Sequence, residues 1–252
     1  MTFLIRALFR QWFCRSNPPT IRPILILLML LLAFTNSGCG EHSSPLQSAL
    51  DIRRASADLQ QIRIGLLPVS DYPLLSKFKR LKDVDFYTLD GTGADDAKLE
   101  ALSKVKLETL EGVLLLNCPK VTDVGFRNLT TIPSLKWVGL EGTSITDESL
   151  AIMASKMKLA GVNVANCSKV TKKGLVSLAA SSTLKEFSFS ADTLTQEDVV
   201  ELVNQFKGIT WCGIIDPGKK LDVPTLKQLG QQKGVRIVVK PTGALQDVAA
   251  GK

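Results

Sequence analysis

The chain has 252 residues, 45% of them apolar, with 31 basic and 24 acidic side chains and a formal charge of +7. That composition is ordinary for a folded protein and suffices for one domain of about 190 residues plus a leader. A single histidine, His42, leaves no Ser-His or Cys-His pair to activate a nucleophile within the folded part.

Residues 1–38 carry Arg6, Arg10, Arg15 and Arg22 and no acid, and an apolar run from Ile24 to Phe34 follows the arginines. A span needs about 20 apolar residues, so this shorter run reads as a secretory signal, with an uncleaved signal-anchor as the rival. The leader takes four of the 31 basic residues, leaving 27 against 24 acids. The basicity is thus mostly targeting signal, and no nucleic-acid partner is expected. Ser37-Gly38-Cys39 resembles the lipobox of bacterial lipoproteins, although Asn36 stands where an apolar residue is usual. That resemblance implies lipidation of Cys39 and a membrane-anchored lipoprotein of the cell envelope. Ordinary signal cleavage, giving a secreted or periplasmic chain, is the alternative.

Residues 39–45 form a polar tether in which His42 is solvated. Over 46–58, Leu46, Ala49, Leu50 and the segment 52–57 predict an amphipathic helix that caps an otherwise open apolar end. From Leu59 to residue 240 the chain repeats. Its Leu-x-x-Leu-x-Leu frame starts at Leu59, Val84, Leu110, Leu135, Leu159, Leu184, Ile209 and Val235, at intervals of 24 to 26. Each unit begins with an alternating apolar pair, which suits a short strand with one buried face. The pairs are Ile62/Ile64, Tyr87/Leu89, Val113/Leu115, Val138/Leu140, Val162/Val164, Phe187/Phe189 and Cys212/Ile214. A turn comes next, then a position holding Leu67, Thr92, Cys118, Thr143, Cys167, Asp192 and Pro217. A helix is then entered through Leu74, Leu99, Phe126, Leu150, Leu175 and Val199. Asp95, Asp96, Asp123, Thr146 and Asp147 at those helix starts suit N-caps worth about 1 kcal/mol each. One such unit cannot close a core, and repetition solves that. Residues 223–232 with a last strand at 235–239 predict the closing cover, and 241–252 a loose tail.

Cys118-Pro-Lys-Val121-Thr122-Asp123-Val-Gly125-Phe126 and Cys167-Ser-Lys-Val170-Thr171-Lys172-Lys-Gly174-Leu175 carry the signature that places the family. The chain resembles a leucine-rich repeat protein, close to the cysteine-containing subfamily. Lys172 and Gln196, where other units have Asp, and the Pro217-Gly-Lys-Lys loop depart from the pattern. The resemblance implies an α/β solenoid, a horseshoe arc of about seven repeats with parallel strands on the concave face and helices on the convex face. It also implies a protein partner. A repeat spacer without a dedicated binding face is the alternative. The substrate-receptor role of F-box repeat proteins is disfavoured, since it needs an adaptor-binding helical segment before the repeats, the roughly 20 residues between Cys39 and Leu59 are too few for one, and a secretion signal contradicts it.

Cys118 and Cys167 share one repeat position two units apart, near 10 Å at about 4.8 Å per strand, too far for a disulfide. With Cys212 they are expected as buried free thiols. No catalytic group, metal site, cofactor or small-molecule substrate is expected. The candidate surface comes from the residues flanking each inward pair. It consists of Phe86, Leu114, Leu116 and Trp137 as an apolar patch, with Asp90 and Glu141 at its edge and Trp211 further along. The rival reading has Trp137 lying flat over Gly112, Gly139 and Gly161 and sealing the sheet.

Overall fold

The computed structural model describes residues 45–179 and 181–241; the leader, Cys14, Cys39, His42 and the tail lie outside these. The described chain is an α/β solenoid-like stack. It starts with a short helix, α1 (Ala49–Arg54), and then alternates strands with helices. The strands are β1 (Gln61–Arg63), β2 (Asp83–Asp85), β3 (Gly112–Leu114), β4 (Trp137–Gly139), β5 (Gly161–Asn163), β6 (Glu186–Ser190), β7 (Trp211–Ile215) and β8 (Arg236–Lys240). They form one all-parallel sheet in sequence order, β1 to β8. A 3-10 helix (Val69–Lys77) follows β1. The α-helices after it are α2 (Asp96–Lys104), α3 (Asp123–Leu129), α4 (Asp147–Lys156), α5 (Lys172–Leu178), α6 (Gln196–Gln205) and α7 (Val223–Lys233).

The strands stack side by side as one layer, and the helices form the other. The core lies between the two layers. Ile62, Ile64, Val113, Leu115, Val138, Leu140, Val162, Val164, Phe187, Phe189, Cys212 and Ile214 all point into it and are buried. From the helices it is closed by Leu99, Phe126, Leu150, Leu175 and Val199. The stack is closed at its first end by α1 and the residues on either side of it, through Leu46, Ile52 and the half-buried Ala55. Lys77 Nζ donates to the carbonyls of Ile52, Arg53 and Ala55 (2.6, 3.1 and 2.6 Å), satisfying the end of that helix. Leu50 faces outward.

The second unit departs from the even frame. Ile62 pairs with Val84, and Val84 with Val113, so the first two steps are 22 and 29 residues long. The inward pair there is Val84/Phe86, both fully buried, not Tyr87/Leu89; Leu89 is 94% exposed. The unit therefore starts at Leu81. A hydroxyl ladder marks the same position: Thr109 Oγ1 donates to Leu81 O (2.7 Å), Ser134 Oγ to Leu110 O (2.7 Å) and Thr183 Oγ1 to Leu159 O (2.8 Å). The long step holds an extra loop, and Thr92 in it is exposed rather than inward. At the other end Cys212 pairs with Ile237, so the last unit runs one residue earlier than the frame from Val235, which would place Val238 there, implies.

Left-handed residues end the regular strands: Asn117 (φ 51°), Gly142 (φ 70°) and Asn166 (φ 56°) occupy one turn position. Asn and Gly tolerate that conformation where other side chains strain. The next position is roofed by a small donor. Thr143 Oγ1 (2.7 Å) and Cys167 Sγ (3.0 Å) donate to Leu140 O, and Cys118 Sγ reaches Leu116 O (3.4 Å).

The helix starts are linked from unit to unit in a way the N-cap assignment misses. Thr122, Thr146 and Thr171 are the N-caps, and Asp123 and Asp147 begin the helices one residue later. The aspartates reach forward. Asp96 accepts from the Thr122 backbone N (2.8 Å) and Oγ1 (2.7 Å). Asp123 does the same to Thr146 (2.9 and 2.8 Å), and Asp147 to Thr171 (2.8 and 2.6 Å). Ser149 Oγ adds a third bond to Asp123 (2.5 Å). A side chain at Gly125 or Gly174 would collide with the carboxylate of Asp96 or Asp147, which explains why those units carry glycine where α4 carries Ser149. Only Asp95 and Asp222 act as N-caps among the aspartates at these helix starts.

At Lys172 the ladder stops. Thr195 N instead bonds Asp198 of its own helix (2.9 Å) in a capping box, and Lys172 Nζ grips Asp198 and Glu201 (both 2.7 Å). That lysine, first, and the Thr195 bonds hold the Asp198 carboxyl down at about 2. Gln196 resumes the forward reach, accepting from Asp222 N (3.0 Å).

Candidate interaction surface

On the strand face the register sets three outward columns. The first runs Gln61, Asp83, Gly112, Trp137, Gly161, Glu186, Trp211 and Arg236. The second runs Arg63, Asp85, Leu114, Gly139, Asn163, Ser188, Gly213 and Val238. Beyond them stand Gly65, Tyr87, Leu116, Glu141, Ala165, Ser190, Ile215 and Lys240.

Two expected members of the patch are therefore elsewhere. Phe86 is an inward core residue with no exposure. Asp90 sits in the extra loop, where it accepts from Thr92 N (3.1 Å) and Oγ1 (2.8 Å). The cause is the pair of unequal repeat lengths, which moves the second unit's frame by three residues. Asp83, Asp85 and Tyr87 take the vacated places. Leu114, Leu116 and Trp137 do stand on the strand face, each half-buried.

Trp137 lies flat on the sheet. A Cβ added at Gly139 would meet its Cη2 at 3.0 Å, one at Gly161 its Nε1 at 2.8 Å, and one at Gly112 its Cε3 at 3.8 Å. Three glycines on three adjacent strands thus make the floor on which the indole rests. The same Gly112 position collides with Asp83 Oδ1, so that carboxylate and the indole edge are neighbours. On the other flank Gly161 pairs with Glu186. Trp137 stands between two carboxylates, each two strands away.

Those two acids differ from the others on the face. Arg63 Nε binds Asp85 (3.0 Å) and stacks over Tyr87 (5.8 Å). Glu141, 5% exposed, is held by Asn163 Nδ2 and Asn166 Nδ2 (both 3.1 Å), so it ties two turns together instead of edging a patch. Among the described residues, the carboxylates of Asp83 and Glu186 make no hydrogen bond or ion pair. Burial pushes the Asp83 carboxyl above its ordinary range, helped by Glu111 and opposed by Lys82. Burial alone does the same to Glu186. Trp211 is buried with Ala165 and Ile215, and its Nε1 has no partner.

The three described cysteines are free and buried. Burial raises the Cys118 thiol to about 11 and the Cys212 thiol to about 12, and it raises Cys167 as well. Among the described residues no group of three or more His, Cys, Asp or Glu side chains could hold a metal ion, and no helix is long and apolar enough to cross a membrane.

No protein-family model and no curated protein matches the chain. Among solved structures, the tropomodulin C-terminal domain of Caenorhabditis elegans aligns at 14% identity, covering 74% of this chain and 88% of that one, with a TM-score of 0.30. The yeast Rad7 and Elc1 complex aligns at 14% identity, covering 79% of each chain, with a TM-score of 0.29.

Proposed function

We propose that this chain is a leucine-rich repeat interaction module, exported and tethered to the cell envelope through lipid on Cys39, that binds a protein partner on its concave strand face without catalysis. The observation that carries the binding surface is Trp137, laid on glycines with an unpartnered carboxylate on either flank. Half-burying a charge without a partner is unfavourable, and a fold that has no use for it ordinarily pairs or exposes it. Large aromatics on an accessible face are frequent binding anchors. The test is Trp137→Ala with Leu114→Ser, read by capture from a membrane extract and by thermal unfolding. The expected result is lost capture with a modest drop in melting temperature.

The spacer reading keeps one specific support: the indole fills the room of three absent side chains, as a sealing residue would. Unchanged capture with a large drop in melting temperature would favour it. The envelope address rests on the basic leader, the short apolar run and Ser37-Gly38-Cys39. Diacyl or triacyl attachment would supply the chains that stable anchoring requires. Mass spectrometry should find the mature chain beginning at a lipidated Cys39; an unmodified N-terminus at another residue would reject the anchor.

A further inference from the structure

The middle of the strand face, β2 to β7, has a charge opposite to that of the chain, with Arg63, Arg236 and Lys240 on the edge strands. The whole sequence is formally +7. Across β2 to β7, however, the outward positions hold Asp83, Asp85, Glu141 and Glu186 and no lysine or arginine. Asp85 is neutralised by Arg63, and Glu141 is engaged by two amides. What remains free are the carboxylates of Asp83 and Glu186, set to either side of the Trp137 ring.

Cations also stand at the strand starts, one residue before the face begins. Lys136 is paired with Glu111 (2.8 Å), Lys185 Nζ donates to Gly208 O (3.2 Å), and Lys82 offsets Asp83 only in part, since burial still prevails there. The face is not self-neutralised.

We infer that the strip Asp83–Trp137–Glu186 receives a basic, extended segment of a partner protein, with an arginine or lysine head over the indole and the two carboxylates as its counter-ions. This rests on the interaction-module reading and gives it a chemistry. An indole with one face pressed to the sheet presents the other to a cation, and a ring face attracts cations most when water is partly excluded. In the backbone register each acid stands two strands from Trp137, about 10 Å on either side at the usual strand spacing, and Asp83 Oδ1 reaches back over Gly112 toward the indole edge. An extended segment crossing the strands covers that distance in about three residues. The glycine floor serves this arrangement, because a side chain at Gly139 or Gly161 would displace the ring from the sheet.

The experiment titrates the full chain with a labelled peptide of alternating arginine and serine, and with its glutamate counterpart, at low and high salt. The arginine peptide should bind, the glutamate peptide should not, and binding should weaken as salt rises. Asp83→Asn with Glu186→Gln should weaken the arginine peptide at least tenfold and flatten its salt dependence. This pair breaks no side-chain hydrogen bond or ion pair, so its melting temperature should hold. Trp137→Phe should retain part of the affinity that Trp137→Leu loses. Equal binding of both peptides, no binding of either, or undiminished binding by the double-charge variant would overturn the inference. A protein partner still captured through Trp137 and Leu114, with no preference for the arginine peptide, would overturn it while leaving the concave-face reading intact.

Discussion

The helix starts and the strand face use the same residue type in opposite ways. At the helix starts Asp96, Asp123 and Asp147 each accept two or three hydrogen bonds from the following unit. On the strand face the carboxylates of Asp83 and Glu186 accept none. A carboxylate with saturated partners holds units in register, and its charge is spent inside the fold. A half-buried one without partners destabilises the isolated chain slightly and is available to something outside it. The difference separates stacking from recognition in a molecule whose units otherwise look alike.

The largest expected effect concerns where the face begins. Phe86→Ala should destabilise by about 3–5 kcal/mol, as a fully buried aromatic does, while Leu89→Ala changes stability by less than about 0.5 kcal/mol. Urea unfolding of both variants checks this. A mild Phe86→Ala with a severe Leu89→Ala would restore the even repeat frame and return Phe86 to the surface.

Next comes the ladder. Asp123→Ala removes the acceptor for Thr146 N, Thr146 Oγ1 and Ser149 Oγ, and should destabilise by about 2 kcal/mol. Burial pushes this carboxyl up, but the bonds from Ser149 and Thr146 outweigh it and hold it below the ordinary range. Its contribution is therefore present above the unfolded value, about 3.9, and is lost as pH falls through the lower folded value. The gap between wild type and Asp123→Asn should hold from pH 7 down to about pH 4 and narrow as pH falls further. Asp83 and Glu186 carry the opposite sign. Their folded values are raised, so the stability they lend is present below the unfolded value and lost as pH rises through the folded one. At pH 7, Asp83→Asn with Glu186→Gln should match or slightly exceed wild type, and that margin should vanish below about pH 4.

A smaller effect concerns reactivity. Cys118, Cys167 and Cys212 should resist thiol reagents at neutral pH until the chain unfolds, because burial disfavours the thiolate. Rapid labelling of all three in the folded state would mean that the inward register is wrong.

The stack was legible because alternation and helical spacing recur in step. Val113/Leu115 through Cys212/Ile214 are inward as the alternation predicts. Cys118 and Cys167 fall on one repeat position. The second unit was not legible because its two unequal steps, 22 and 29 residues, cancel, and an even frame fits both neighbours while missing Phe86. The forward reach of the aspartates was missed for a different reason. Local capping and inter-unit bonding call for the same residue types, and only the glycine or serine three residues after Thr122, Thr146 and Thr171 tells them apart. On the surface, Trp137 and Leu114 follow from parity alone. Asp83 and Glu186 do not stand out in the sequence, because what marks them is the partner they lack.

The most direct measurement pairs two variants, Asp123→Asn and Asp83→Asn with Glu186→Gln, and reads melting temperature and partner retention for each. The division between stacking and recognition predicts that Asp123→Asn melts lower and still retains the partner. It predicts that the double variant melts like wild type and loses the partner. A double variant that melts lower and retains its partner, or an Asp123→Asn that loses the partner at an unchanged melting temperature, would contradict it.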